Sequence, residues 1–159
     1  GEPDTDAPQK VKEAIAYHAL NSPIKYSPVG GMPELREKIA KFYNEKFGGN
    51  YNKDNVLVTV GSTEGLSSTL KTILAEDDEV LIPTPAYVGY EPLIRVARAK
   101  TIFMDLEENN FILTKKILEK YITPKTKLII LTYPNNPSGI TLPKEEMIKI
   151  VKFLKDKYK

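Results

Sequence analysis

Three short stretches carry residue types that could do chemistry, and each follows an apolar run. Gly61-Ser62-Thr63-Glu64 comes directly after Val56-Leu57-Val58-Thr59-Val60. A strand leading into a helix there would aim free backbone amides and the positive end of the helix dipole at one spot, which suits phosphate. Ser62 and Thr63 add hydroxyl donors and Gly61 permits close approach; an ordinary Ser/Thr helix cap is the alternative. The glycine spacing matches neither the dinucleotide fingerprint nor a Walker A loop. Glu76 and Glu79 lie near the distance of a ribose-binding acid, a weak coincidence without those glycines. The second stretch places Tyr87 and Tyr90 beyond Pro83-Thr84-Pro85. An aromatic there can stack on a flat ring, gaining about 0.5–1.5 kcal/mol beyond burial, or can simply pack at a helix start. The third, Tyr133-Pro134-Asn135-Asn136-Pro137-Ser138-Gly139, holds two amides between prolines whose fixed φ restrains them. Asn135 or Asn136 could bind a phenolate oxygen or a carboxylate; a plain turn is the alternative.

The elements that must position these loops are legible in the pattern. Pro8 opens a first helix in which Val11, Ile15 and Ala19 mark a stripe expected to be buried, and Asn21-Ser22-Pro23 stops it. A second helix starts at Pro33, with Leu35, Ile39, Phe42 and Tyr43 on its apolar face, and Gly48-Gly49 ends it. Val56–Val60, Glu79–Ile82, Thr101–Met104 and Leu128–Leu131 read as strands. Helical patterns follow at 61–75, from Pro85 towards Ala99, around Lys115–Lys120 and from Pro143. In the last of these Met147, Ile150, Val151 and Leu154 share one side. Strands alternating with helices predict an α/β fold, a mostly parallel sheet with helices on both faces. Ligands of such sheets sit outside the carboxyl ends of the strands, and the loops at Gly61, Pro83 and Tyr133 leave such ends. One ligand with a phosphate, a flat ring and a polar ring substituent would use all three, and pyridoxal 5′-phosphate has these features.

Composition narrows the choice further. The 159 residues contain no cysteine and one histidine, His18, which excludes disulfides, thiol nucleophiles and zinc ribbons and disfavours a His-based metal site. Lys plus Arg is 23 against 21 acids, a net charge of +2. Residues 144–159 hold six lysines and three acids, so the surplus belongs to one solvated helix face and is not a nucleic-acid footprint. No apolar run approaches the roughly 20 residues of a membrane helix. The expectation is a cytoplasmic domain with no nucleic-acid or membrane partner.

The chain closely resembles the front part of class I/II aminotransferases, pyridoxal-phosphate enzymes of fold type I, nearest to aspartate aminotransferases. The marks are Gly1-Glu2-Pro3-Asp4, Tyr26-Ser27-Pro28-Val29-Gly30-Gly31-Met32-Pro33-Glu34-Leu35-Arg36, Val58-Thr59-Val60-Gly61-Ser62-Thr63-Glu64, Pro83-Thr84-Pro85-Ala86-Tyr87 and Asn135-Asn136-Pro137-Ser138-Gly139. Five such marks in the family's order are specific together. The resemblance implies that Ser62, Thr63 and Glu64 hold the cofactor phosphate, largely through backbone amides. It implies that Tyr87 stacks on the pyridine ring and borders the substrate, and that Asn136 donates to the phenolic oxygen and lies near the substrate carboxylate. Tyr26 would reach the phosphate of a neighbouring subunit, which requires a homodimer, and Gly1 would touch the substrate carboxylate. The implied reaction moves an amino group from an amino acid, of the aspartate/glutamate type, to a 2-oxo acid.

Three family features have no counterpart in the sequence: the aspartate on the pyridine nitrogen, the Schiff-base lysine and the arginine that clamps the substrate carboxylate. The chain is therefore expected to be part of a larger cofactor-binding domain, with 1–50 as helices and loop and 51–159 as βα units. The rest of that domain and a small domain are expected to be absent, and no catalytic residue is assigned. The alternatives are a non-catalytic phosphate- or nucleotide-binding α/β module, another fold type I enzyme such as a carbon–sulfur lyase, and an interaction fragment that binds nothing.

Overall fold

A computed structural model describes residues 3–158, which form two compact units divided between Val58 and Thr59. The first unit contains α1 (Gln9–Asn21) and α2 (Pro33–Phe47). Helix α2 begins with Pro at N1, where a missing N–H does no harm, and stops at Gly48 in the left-handed region (φ 68°). The stretch Gly30–Arg36 locks the end of this unit. Arg36 Nε donates to the carbonyls of Lys53 (3.0 Å) and Val56 (2.8 Å), and Val58 N–H donates to Gly30 C=O. Gly31 has φ +94°, and a Cβ there would lie 2.6 Å from Val58 Cβ, so no other residue fits the approach.

Two expectations fail in this region. The first-helix stripe is not buried: Val11 and Ile15 are exposed, as is Ala19, because no described residue of this unit covers that face. Periodicity reports which face is apolar, not what lies against it. Val56–Val60 is not a strand of the sheet either. The segment has no ladder partner among the described residues, and β-branched composition cannot supply one.

The second unit holds α3 (Gly61–Ile73), β1 (Glu79–Thr84), α4 (Tyr90–Val96), β2 (Lys100–Asp105), α5 (Lys115–Tyr121), β3 (Thr126–Ile129) and α6 (Lys144–Lys157). The sheet order is β2-β1-β3 and both pairings are parallel, with Glu79 opposite Lys100 and Thr84 opposite Asp105. Pro83 cannot donate to the ladder, and the next residue continues the tie: Thr84 Oγ1 donates to Met104 C=O at 3.1 Å.

Strand β1 is buried on both faces. Val80 and Ile82 pack with Leu70 of α3 and Ile94 of α4, whereas Leu81 packs with Met104, Leu106, Leu113, Leu118 of α5 and Ile150 of α6. Helices therefore cover both faces of a parallel sheet, as the alternation of strand and helix patterns predicts. Strand β3 starts two residues earlier than expected, and Ile130 N–H still donates to Leu81 C=O at 3.0 Å. Helix α4 begins only at Tyr90, because the residues after Pro85 form a turn first. On α6, Ile150 is buried as expected, but Val151 is exposed and Phe153 takes part in the core contact instead. No helix among the described residues is long and apolar enough to cross a membrane.

Candidate functional site

The start of α3 is built by its own neighbours. Gly61 has φ +77°, with no atom within 4 Å of where a Cβ would stand, so the approach to the helix end is open. Its N–H donates to Thr59 C=O and its C=O accepts from Thr59 Oγ1, turning the chain into the helix. The N–H groups of Ser62 and Thr63 meet no acceptor among the described residues, which leaves two donors at the positive end of a helix of 13 residues. The Glu64 carboxylate turns back to accept from Val60 N–H, so this side chain closes the cap. Any role of Glu64 towards an anion falls to its backbone.

The second loop puts the Tyr87 ring edge-on to Tyr90, with centroids 5.4 Å apart at 82°. Tyr90 is buried and its hydroxyl bonds Thr132 Oγ1 at 2.6 Å, while Tyr87 remains 40% exposed. The two tyrosines thus divide the two readings open to them: Tyr90 packs, and Tyr87 keeps a ring surface in solvent.

The third loop separates its two asparagines in the same way. Asn135 Nδ2 donates to Pro85 C=O at 3.0 Å, and Asn135 Oδ1 accepts from Ser138 N–H (3.1 Å) and Ser138 Oγ (2.7 Å). Its backbone is equally committed, to Ile140 C=O and from Gly139 N–H. Asn136 is exposed, and its amide has no partner among the described residues. A crevice lined by Pro83, Ala86, Tyr90, Thr132, Tyr133 and Asn135 marks where the second and third loops meet, and burial there pushes the Tyr133 phenol above its ordinary value.

The second and third loops are therefore joined directly. The first is tied to them through the core, where Leu66 of α3, Ala86 and Ile130 pack against one apolar cluster. No hydrogen bond links residues 61–64 to either other loop among the described residues. Tyr26 belongs to the first unit, fully exposed and without a hydrogen-bond partner among the described residues. His18 bonds Ser22 Oγ at 2.9 Å and stacks edge-on against Tyr17, an exposed surface role. Gly1 lies outside the described residues. No group of metal-ligating side chains occurs among the described residues.

Sequence reasoning missed the tie from Asn135 to Pro85 and the pinning of Tyr90 by Thr132. The partners lie 50 and 42 residues apart, and no local pattern announces them.

Comparison with known proteins places this site in context. The family model described as aminotransferase class I and II matches residues 1–158. The aspartate aminotransferase of Pyrococcus horikoshii is 40% identical over 146 residues, 91% of this chain and 37% of that protein. The aromatic-amino-acid aminotransferase 2 of Thermococcus litoralis is 40% identical over 156 residues, 96% of this chain and 40% of that protein. Among solved structures, the aspartate aminotransferase from Thermus thermophilus with maleate superposes with a TM-score of 0.92 at 33% identity, covering 98% of this chain and 41% of that one. The chain thus spans about two fifths of the length of the relatives it matches.

Proposed function

Because the chain belongs to the class I and II aminotransferase family, we propose that it carries the cofactor-holding loops of an enzyme that moves an amino group from an amino acid to a 2-oxo acid. The cofactor is pyridoxal 5′-phosphate, which when bound supplies an electron sink for bond breaking at the amino acid's α-carbon. The donor set fits that group. Ser62 and Thr63 offer two free amides and two hydroxyls at a helix start, which suits a phosphate. Tyr87 offers an exposed ring surface for a flat heterocycle. Asn136 offers an uncommitted amide, able to donate to a ring oxygen and so to fix the orientation of the ring in its plane.

The observation that carries the reading is the division between the asparagines. Asn135 uses both ends of its amide to hold the loops together, which leaves Asn136 for a ligand. In this reading the chain holds the phosphate and the ring, and the pyridine-nitrogen aspartate, Schiff-base lysine and carboxylate-clamping arginine implied by the resemblance are not among its residues. Substrates of the aspartate type, a cytoplasmic location, a homodimer in which Tyr26 reaches the neighbouring phosphate, and a Gly1 backbone contact to the substrate carboxylate complete the proposal; the aspartate aminotransferases among the relatives support the first.

The test replaces each asparagine in turn and titrates the chain with pyridoxine 5′-phosphate, whose alcohol cannot condense with surface lysines. Asn136→Ala should weaken binding about 2- to 10-fold, the worth of one hydrogen bond, with the melting temperature unchanged. Asn135→Ala should lower stability by about 1–3 kcal/mol, because it strands the Pro85 carbonyl and frees the Ser138 turn. Loss of binding in neither variant would count against the reading.

A further inference from the structure

Gly89 sits between Tyr87 and Tyr90, and its backbone gives no reason for a glycine. Its φ of −75° and ψ of −15° are ordinary right-handed values open to any residue type. The reason lies in the space beside it. A Cβ on Gly89 would stand 2.3 Å from Tyr87 Cε1, 2.8 Å from Cζ and 3.0 Å from the hydroxyl oxygen. The Tyr87 ring therefore lies directly against the bare α-carbon. Its other neighbour is the ring of Tyr90, nearly perpendicular to it, which is buried and held by Thr132. The ring thus occupies a seat of two parts, an empty glycine and a pinned tyrosine.

We infer that Gly89 is a positioning residue that sets the plane of the Tyr87 ring and so governs how well a pyridine ring stacks on it. The inference rests on the reading of Tyr87 as the stacking residue. Tyr87 is the free end of a side chain with two rotatable bonds, so an added methyl displaces the ring and leaves the backbone in place. Alanine also suits the observed φ and ψ and restricts the unfolded chain, so the fold should gain or hold stability while the ring loses its seat. Gly89 acts on the ring half of the ligand alone, since the phosphate donors lie at the start of α3.

The experiment compares the full chain with Gly89→Ala, Tyr87→Ala and the double variant, by thermal melting and by titration with pyridoxine 5′-phosphate and with inorganic phosphate. Gly89→Ala should melt at or above the parent temperature and weaken pyridoxine 5′-phosphate about 2- to 10-fold. Its affinity for inorganic phosphate should not change. In the Tyr87→Ala background it should cause no further loss, which a general disturbance of the loop would not predict. Parent-like binding by Gly89→Ala, or an equal loss in both backgrounds, overturns the role of Gly89 while Tyr87→Ala still weakens binding. If Tyr87→Ala binds as tightly as the parent, the stacking reading fails and this inference falls with it.

Discussion

Incubated with pyridoxal 5′-phosphate, an amino acid and a 2-oxo acid, the 159-residue chain is expected to give no transaminase turnover above that of the free cofactor in buffer. The reaction requires a group that can carry a proton at the amino acid's α-carbon, and positioned acid–base catalysis of that kind contributes about 10²–10⁴-fold. The three loops contain no lysine, histidine or aspartate: residues 61–64, 83–90 and 132–139 offer only Glu64, tyrosines and neutral polar groups. Glu64 is engaged in capping α3, and burial holds the Tyr133 phenol in its neutral form well above neutral pH. Among the described residues, the lysines of the second unit lie on helices, on strands β2 and β3 and in a turn rather than in these loops. A coupled assay of 2-oxo acid formation checks this, with the surface-lysine background set by a Tyr87→Ala, Asn136→Ala variant. Turnover that exceeds that variant's would show that the chain does supply a catalytic group.

Leu81→Ala is expected to cost about 2–5 kcal/mol of stability, a large share of the roughly 5–15 kcal/mol typical of a domain. Leu81 is fully buried at the centre of the middle strand, against side chains from β2, α5 and α6. Truncation removes the transfer free energy of three carbons and leaves a cavity that a sheet covered on both faces cannot collapse into. Urea unfolding checks it: the midpoint should fall while the slope stays constant. Val151→Ala on the exposed side of α6 serves as the contrast and should change stability by less than about 0.5 kcal/mol. Equal effects at the two positions would contradict the assignment of the core.

Both the core and the loops were legible in the sequence to an instructive degree. Glu79–Ile82 reads as a strand because its run is apolar on both sides, and a strand with two covered faces has just that appearance. Val56–Val60 has the same composition but no partner, and pairing depends on a second segment that composition does not name. The first-helix stripe fails likewise: an apolar face at Val11 and Ile15 states a need for cover without identifying the cover. At the site, adjacent asparagines between two prolines are nearly equivalent by local chemistry. What separates them is the Pro85 carbonyl, brought to Asn135 by the parallel alignment of β1 and β3. Gly89 was silent for a related reason, since its meaning lies in a ring two residues earlier folding back over it.

The three loops are proposed to form one site for a phosphorylated pyridine. Competitive titration of the full chain with pyridoxine 5′-phosphate and adenosine monophosphate tests it most directly, because both carry a phosphate and a flat heterocycle but only the former carries the phenolic oxygen that Asn136 would meet. Pyridoxine 5′-phosphate should bind more tightly than the nucleotide, and Asn136→Ala should abolish that preference. Preference for the nucleotide, or binding of neither ligand more tightly than inorganic phosphate, would contradict it.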